Sequence, residues 1–213
     1  MRDPWRLGLL ALAVFLLSGC SDSKPDAAPS TPPASVPSTI PTASTPTLTA
    51  LPTPSKPWPT PKVTGEPAND APLAERITFA ISKQAQIAAG KTATTTVKCP
   101  GIDKVETAGN HKLTCTVTYA GKSYSGTLTV DAKQYTASYK FTSESVAIVK
   151  AKVVDAVLRT VTDAAKVTCT MDDVAVVKHS GEPIGCDVTT TANAVQPYKA
   201  QVSGNGQVLV AKA

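Results

Sequence analysis

Val97-Lys98-Cys99-Pro100, followed by Leu113-Thr114-Cys115-Thr116-Val117, is the stretch that decides the fold, because its pattern returns once. Val167-Thr168-Cys169 and Ile184-Gly185-Cys186-Asp187-Val188 repeat it about seventy positions later, with Gly109 and Gly181 each shortly before the second cysteine. Each second cysteine lies in a run of period two: Leu113, Cys115, Val117 and Tyr119 face one way, Thr114, Thr116 and Thr118 the other. That is a half-buried strand. Four cysteines allow three pairings, and a repeat with a self-contained bond in each copy selects Cys99–Cys115 and Cys169–Cys186.

Working outward, each copy opens with a helical stripe. Leu73, Ile77, Ala80, Ile81, Gln84 and Ala88 recur at steps of three or four, with Asp70 as the expected cap, Pro72 in the first turn and Gly90 as the stop. In the second copy Val146, Val149, Val153, Ala156, Val157 and Val161 make the corresponding stripe, with Ser143 as its expected cap, although their β-branching pulls toward strand. After the second cysteine of the first copy, turns at Ala120-Gly121-Lys122 and Asp131-Ala132-Lys133 lead into Tyr124–Val130 and Tyr135–Phe141. The second copy supplies Cys186–Thr191, Tyr198–Val202 and Val208–Ala211, with Gly204-Asn205-Gly206 as a hairpin turn. The expected fold is α+β: a tandem repeat, each unit one helix packed on a four-stranded antiparallel sheet with one internal disulfide. The expected boundaries are 73–142 for the first repeat and 143–213 for the second.

Before residue 73 the composition changes. Of the 18 prolines, 14 fall between Pro25 and Pro72 among Ser and Thr. Proline fixes φ and removes a donor, so residues 20–72 read as a disordered, polyproline-like stalk, in which Trp58 is expected to be an exposed linker residue. Ser/Thr with Pro is also the composition of O-glycosylated stalks.

At the N-terminus, Arg2 and Arg6 precede an apolar run from Leu7 to Leu17. Eleven residues make about 16 Å of helix, too short for a hydrocarbon core of about 30 Å. Residues 1–19 therefore read as a signal peptide. Leu17-Ser18-Gly19-Cys20 resembles the lipobox of bacterial lipoproteins. The resemblance implies cleavage after Gly19, a diacylglycerol on the Cys20 thiol, and tethering by acyl chains (palmitate among them) to the extracytoplasmic face of the membrane.

The repeat itself resembles a domain of unknown function carried by lipoproteins and tethered proteins of high-GC Gram-positive bacteria. Val97-Lys98-Cys99-Pro100, Gly109, Cys115-Thr116-Val117 and Ala120-Gly121-Lys122 carry the match. The second copy departs from it at Thr170, where the first has Pro100, and in a shorter gap between Gly181 and Cys186. The resemblance implies export and tethering, and no activity.

The formal charge of +5 sits in one half. From Leu73 to Phe141 nine Lys/Arg face four Asp/Glu, whereas from Thr142 to Ala213 there are seven of each. Single lysines at wide intervals, without Arg clusters, exclude nucleic acid as a partner and read first as solubilising charge on a small domain; the alternative is attraction to anionic lipid headgroups or acidic wall polymers. No Walker loop, dinucleotide fingerprint, Gly-x-Ser-x-Gly or His-Glu-x-x-His occurs. His111 and His179, with Asp103, Glu106, Asp172, Asp173 and Glu182 near them in sequence, read as solvated loop residues rather than metal ligands. Tyr119, Tyr124, Tyr135 and Tyr139 read as core and edge packing; an exposed concave tyrosine face bordered by lysines would instead favour a binding surface, and a fully polar sheet face would count against one. The expectation is a non-enzymatic chain without cofactor or metal. It would be a binding or interaction module of the cell envelope, its partner a wall polymer or another envelope protein. An enzyme inhibitor, similar in architecture alone to β-lactamase-inhibitory proteins, and a structural spacer without specific ligand are the alternatives.

Overall fold

A computed structural model describes residues 47–213. The expected signal peptide, Cys20 and the first part of the expected stalk lie outside the described residues. The described chain belongs to one compact unit, of α+β class, with two helices, antiparallel sheets and two disulfides.

Helix α1, Leu73–Ala89, buries Ile77, Ile81, Ala85, Ala88 and Ala89 along one stripe. Asp70 does not cap it. The N-cap position is Pro72, which has no side-chain bond to give, and the Glu106 carboxylate instead accepts from the Ala74 N–H at 2.8 Å. An anionic group there also suits the positive end of the helix dipole. Gly90 ends the helix in the left-handed region, its N–H bonded back to Gln86 and Ile87.

Strands β1 (Thr95–Lys98), β2 (Gly109–Tyr119), β3 (Lys122–Ala132) and β4 (Ala137–Thr142) follow and form a meander in that order. A 3-10 turn over Ile102–Glu106 spans the gap between β1 and β2 and buries Val105. Cys99 joins Cys115 one step beyond the last β1–β2 pair.

The chain then departs from the sequence expectation. Ser145–Val149, assigned above to the start of the second helix, is a strand, β5, and helix α2 is confined to Lys150–Thr160. Ser143 caps no helix; its hydroxyl accepts from the Ser145 N–H at 3.1 Å at the entrance to β5. Strand β6 (Ala164–Cys169) follows α2, and β7 (Val174–Lys178), which the sequence reading lacked, pairs antiparallel with β5. Strands β8 (Ile184–Thr190), β9 (Val195–Val202) and β10 (Val208–Lys212) complete a second sheet of order β6-β8-β9-β10. Cys169 and Cys186 face each other directly across β6 and β8.

Strand β5 explains its own misreading. Val146-Ala147-Ile148-Val149 is apolar at every position because both of its faces are covered, which erases the alternation that would mark a strand. Ala147 and Val149 enter one core, built from Ile77, Ile81, Cys115, Val117, Tyr119 and Leu128. Val146 and Ile148 enter a second, built from Val153, Val157, Cys186, Val188, Ala200 and Val202. Val174 and Val176 of β7 pack on the first core and Val177 on the second. The β5–β7 ribbon is thus a partition with one core on each side. Helix α1 crosses it as well: Ala88 is buried in the second core.

The last part of the expected stalk lies against the fold. The Trp58 ring, half-buried, packs on the first core and its indole N–H donates to the Gly90 carbonyl at 2.7 Å. The Leu51 N–H donates to Ala164 O at 2.6 Å, and the Arg159 guanidinium donates to the carbonyls of Pro54 and Lys56. Trp58 is therefore not an exposed linker residue. Proline lacks a donor but keeps its carbonyl, so a segment that can form neither helix nor sheet still offers acceptors to an arginine.

Candidate functional site

Antiparallel pairing fixes which side chains of the first sheet share a face. The inner face carries Cys115, Val117, Tyr119, Tyr124, Leu128 and Val130, all buried. The outer face, read in register, has five rows: Thr96-Thr118-Ser123, Lys98-Thr116-Ser125, Thr114-Thr127-Thr142, Lys112-Thr129-Lys140 and Asn110-Asp131-Ser138. Every position on it is polar, and all are exposed or half-buried. Most are hydroxyls, some of them tied to neighbours: Thr118 and Ser123 share a bond of 2.7 Å, and the Thr129 and Thr142 hydroxyls donate to Lys140 O and Thr127 O, each at 3.3 Å. The cations are Lys98, Lys112 and Lys140. The single carboxylate, Asp131, lies 3.7 Å from Lys133 Nζ.

The outer face of the second sheet is different in kind. Its rows include Lys166-Thr189-Val195, Thr168-Asp187-Pro197 and Gly185-Lys199-Ala211. Val195 and Leu209 are 64% and 60% exposed.

The four tyrosines divide. Tyr119 and Tyr124 are core residues; the Tyr119 hydroxyl donates to Lys91 O at 2.7 Å, and burial pushes the Tyr124 phenol up to about 12. Tyr135 and Tyr139 are 88% and 44% exposed on and before β4. They do not form one tyrosine face. Tyr139 borders a shallow groove of about 370 Å³ at the end of the sheet, together with His111, Lys112, Asp131 and Lys140.

The two histidines make separate contacts. His111 Nε2 lies 2.9 Å from Thr107 O at an exposed position. His179 is part-buried, its Nε2 2.6 Å from Ser143 O and its Nδ1 buried without a partner. Asp172 pairs with Lys122 at 3.0 Å, so it serves to join the end of the first sheet to the loop after β6. Among the described residues no group of three or more His, Cys, Asp or Glu is gathered where a metal could sit. No described helix is long and apolar enough to cross a membrane.

A cleft of about 590 Å³ opens where Trp58, Lys91, Tyr119, Val149, Lys150 and Asp173 meet. Two of its polar side chains are engaged within the fold: Lys150 Nζ donates to Met171 O at 3.1 Å and the Trp58 indole to Gly90. The neighbouring Lys152 ammonium donates to Ala88 O at 2.9 Å, and burial lowers its pKa. These contacts hold α2 and the Trp58 segment on the end of α1. The cleft is a seam between packed elements, whereas the outer sheet face is a broad exposed surface.

That face was partly legible beforehand. Thr114, Thr116 and Thr118 point away from Cys115, and Ser or Thr at alternate positions of Ser123–Thr129 continues the signal; joining them to Lys98 and Lys140 required the register. No protein-family model, curated protein or solved structure matches this chain.

Proposed function

We propose that this chain is a lipid-anchored, non-catalytic binding module of the cell envelope. Cys20 would hold it on the extracytoplasmic face of the membrane, the Pro/Ser/Thr segment would space it outward, and two copies of one α+β unit would form its folded part. The expected sign of binding, a tyrosine face, is absent among the described residues, and a fully polar face counts against a partner held by aromatic contacts; what carries the reading is the basic charge and hydroxyl density of the outer face of the first sheet, which suit a charged, hydroxylated partner. Duplication is supported by the shared strand order of the two sheets and by a cystine at the same place in each. The second unit would then be the one that has acquired the β5–β7 ribbon. The envelope as compartment is supported by the two cystines, since disulfides persist in oxidising surroundings.

Two measurements test the reading. Cys20→Ala should move the chain from the membrane fraction to the soluble one, because the two acyl chains of the Cys20 diacylglycerol would supply the attachment; retention after a carbonate wash would refute the anchor. The full chain in detergent micelles should co-sediment with isolated envelope and wall material. Its remaining in the supernatant would sink the binding module and leave the spacer.

A further inference from the structure

Resting on that reading, we propose that the outer face of the first sheet binds a polyanionic saccharide chain, one bearing carboxylate or phosphate groups along a hydroxylated backbone. Charge is the first argument. Lys98, Lys112 and Lys140 project from this face, and its one carboxylate, Asp131, is already beside Lys133. No other acid stands among the rows to oppose an anion.

Spacing is the second. Lys112 and Lys140 flank Thr129 in one row, two strands apart, hence about 10 Å between their backbones. Lys98 stands opposite Thr116, four residues along β2 from Lys112, or about 14 Å away along the strand. Cations so separated meet charges carried once per sugar or two, rather than a compact multivalent anion, which would need them converging.

The surface between the lysines is the third. Rows of threonine and serine hydroxyls both donate and accept, so they match sugar hydroxyls without demanding one orientation. A membrane surface is a poorer match, because no apolar side chain on this face can enter the acyl boundary. Single-stranded nucleic acid would require aromatic platforms, and the rows have none. The second sheet, with Pro197, exposed Val195 and Asp187, lacks both the hydroxyl rows and the unopposed charge.

The test uses the full chain in detergent micelles and affinity retardation through gels containing polygalacturonate or a phosphomannan, with dextran as the neutral control. Retardation by both polyanions and not by dextran is expected. A triple Lys98→Gln, Lys112→Gln, Lys140→Gln variant should weaken it about tenfold, whereas Lys166→Gln, Lys199→Gln, Lys212→Gln, the same loss of charge on the second sheet, should change it less than about twofold. Thr114→Val with Thr127→Val, which keeps shape and charge, should weaken it further than net charge predicts. Equal losses from the two lysine triples, or tighter binding to phosphatidylglycerol vesicles than to the polymers, would overturn the proposal. Retention of the wild-type chain on wall material without any retardation by the polyanions would overturn it too, and would leave the envelope binding module standing. No retention on wall material would remove that reading itself.

Discussion

At the scale of single residues, Trp58 shows how one contact converts a spacer into part of a fold. Its ring covers the first core and its N–H satisfies the Gly90 carbonyl, which the end of α1 leaves open. Trp58→Phe should keep the packing and lose the bond, lowering stability by about 1 kcal/mol, and Trp58→Ala by about 2–3 kcal/mol. Urea unfolding followed by circular dichroism measures both, and wild-type midpoints would mean that the segment does not dock. Tyr124 makes a pH-dependent statement. Its phenol ionises at about 12 in the folded chain, against an ordinary value of 10.0, because burial penalises the phenolate. Between these values the folded state keeps a proton that the unfolded chain releases. The contribution is therefore whole below about pH 10 and is lost as pH climbs through about 12. Tyr124→Phe should flatten much of that decline, Tyr119 supplying a remainder because its phenol is also raised by burial. Unfolding midpoints at several alkaline pH values would show parallel curves for the two proteins if Tyr124 were solvated.

At the scale of elements, each cystine ties a sheet's Cys-bearing strand to its neighbour and closes a short loop, with sequence separations of 16 and 17. Constraint of the unfolded chain makes each worth roughly 3 kcal/mol. Paired Cys→Ala replacement at Cys99/Cys115 or at Cys169/Cys186 should each lower the denaturant midpoint by a comparable amount, and a negligible effect of either pair would show that its loop is held by other contacts. The cysteine strands, the meander turn at Gly121, the hairpin at Asn205 and the end of α1 at Gly90 were all readable, because each depends on local chemistry: alternation, turn residues and a left-handed stop. The turn expected at Asp131-Ala132-Lys133 falls later, since Asp131 and Ala132 still pair with Ser138 and Ala137. Strand β5 was not readable. A stripe at Val146, Val149 and Val153 fits a helical period only because Val146 and Val149, which point to opposite faces of the strand, are both apolar, and the second covering layer that makes them so is remote in sequence. Strand β7 was missed with it, since Val174–Val177 has no visible role until β5 is there to pair with.

At the scale of the molecule, the two cores share walls. The β5–β7 ribbon gives one face to each, Ala88 of α1 is buried in the second, and the turn between β9 and β10 abuts α1 at Gly206. Gly206 has φ +78, and a Cβ there would overlap the Ala88 carbonyl; Gly121 has φ +80 with nothing within 4 Å of the same position. The pair separates backbone strain from packing between the halves. Gly121→Ala should cost about 1 kcal/mol and Gly206→Ala about 3 kcal/mol or more, since helix backbone cannot retreat as a side chain can. Thermal unfolding of the two variants decides it, and equal losses would mean that the turn and the helix are not in firm contact.

The basic, hydroxylated face belongs to this scale as well. Its composition is local, and the excess of lysine in the first half is plain in the chain, but its being one surface is a matter of strand register, which brings Lys98, Lys112 and Lys140 together from three strands. The amino-acid order alone determined the α+β class, which residues are strand-forming around the cysteines, where helix α1 stops and where charge accumulates, because those follow from periodicity, turn chemistry and composition. Only the tertiary structure decided that Val146–Val149 is a partition rather than a helix, that a proline-rich segment docks through Trp58, and that the tyrosines divide between core and surface. In each of these the deciding partner lies far along the chain, and burial on a second side leaves no periodic trace.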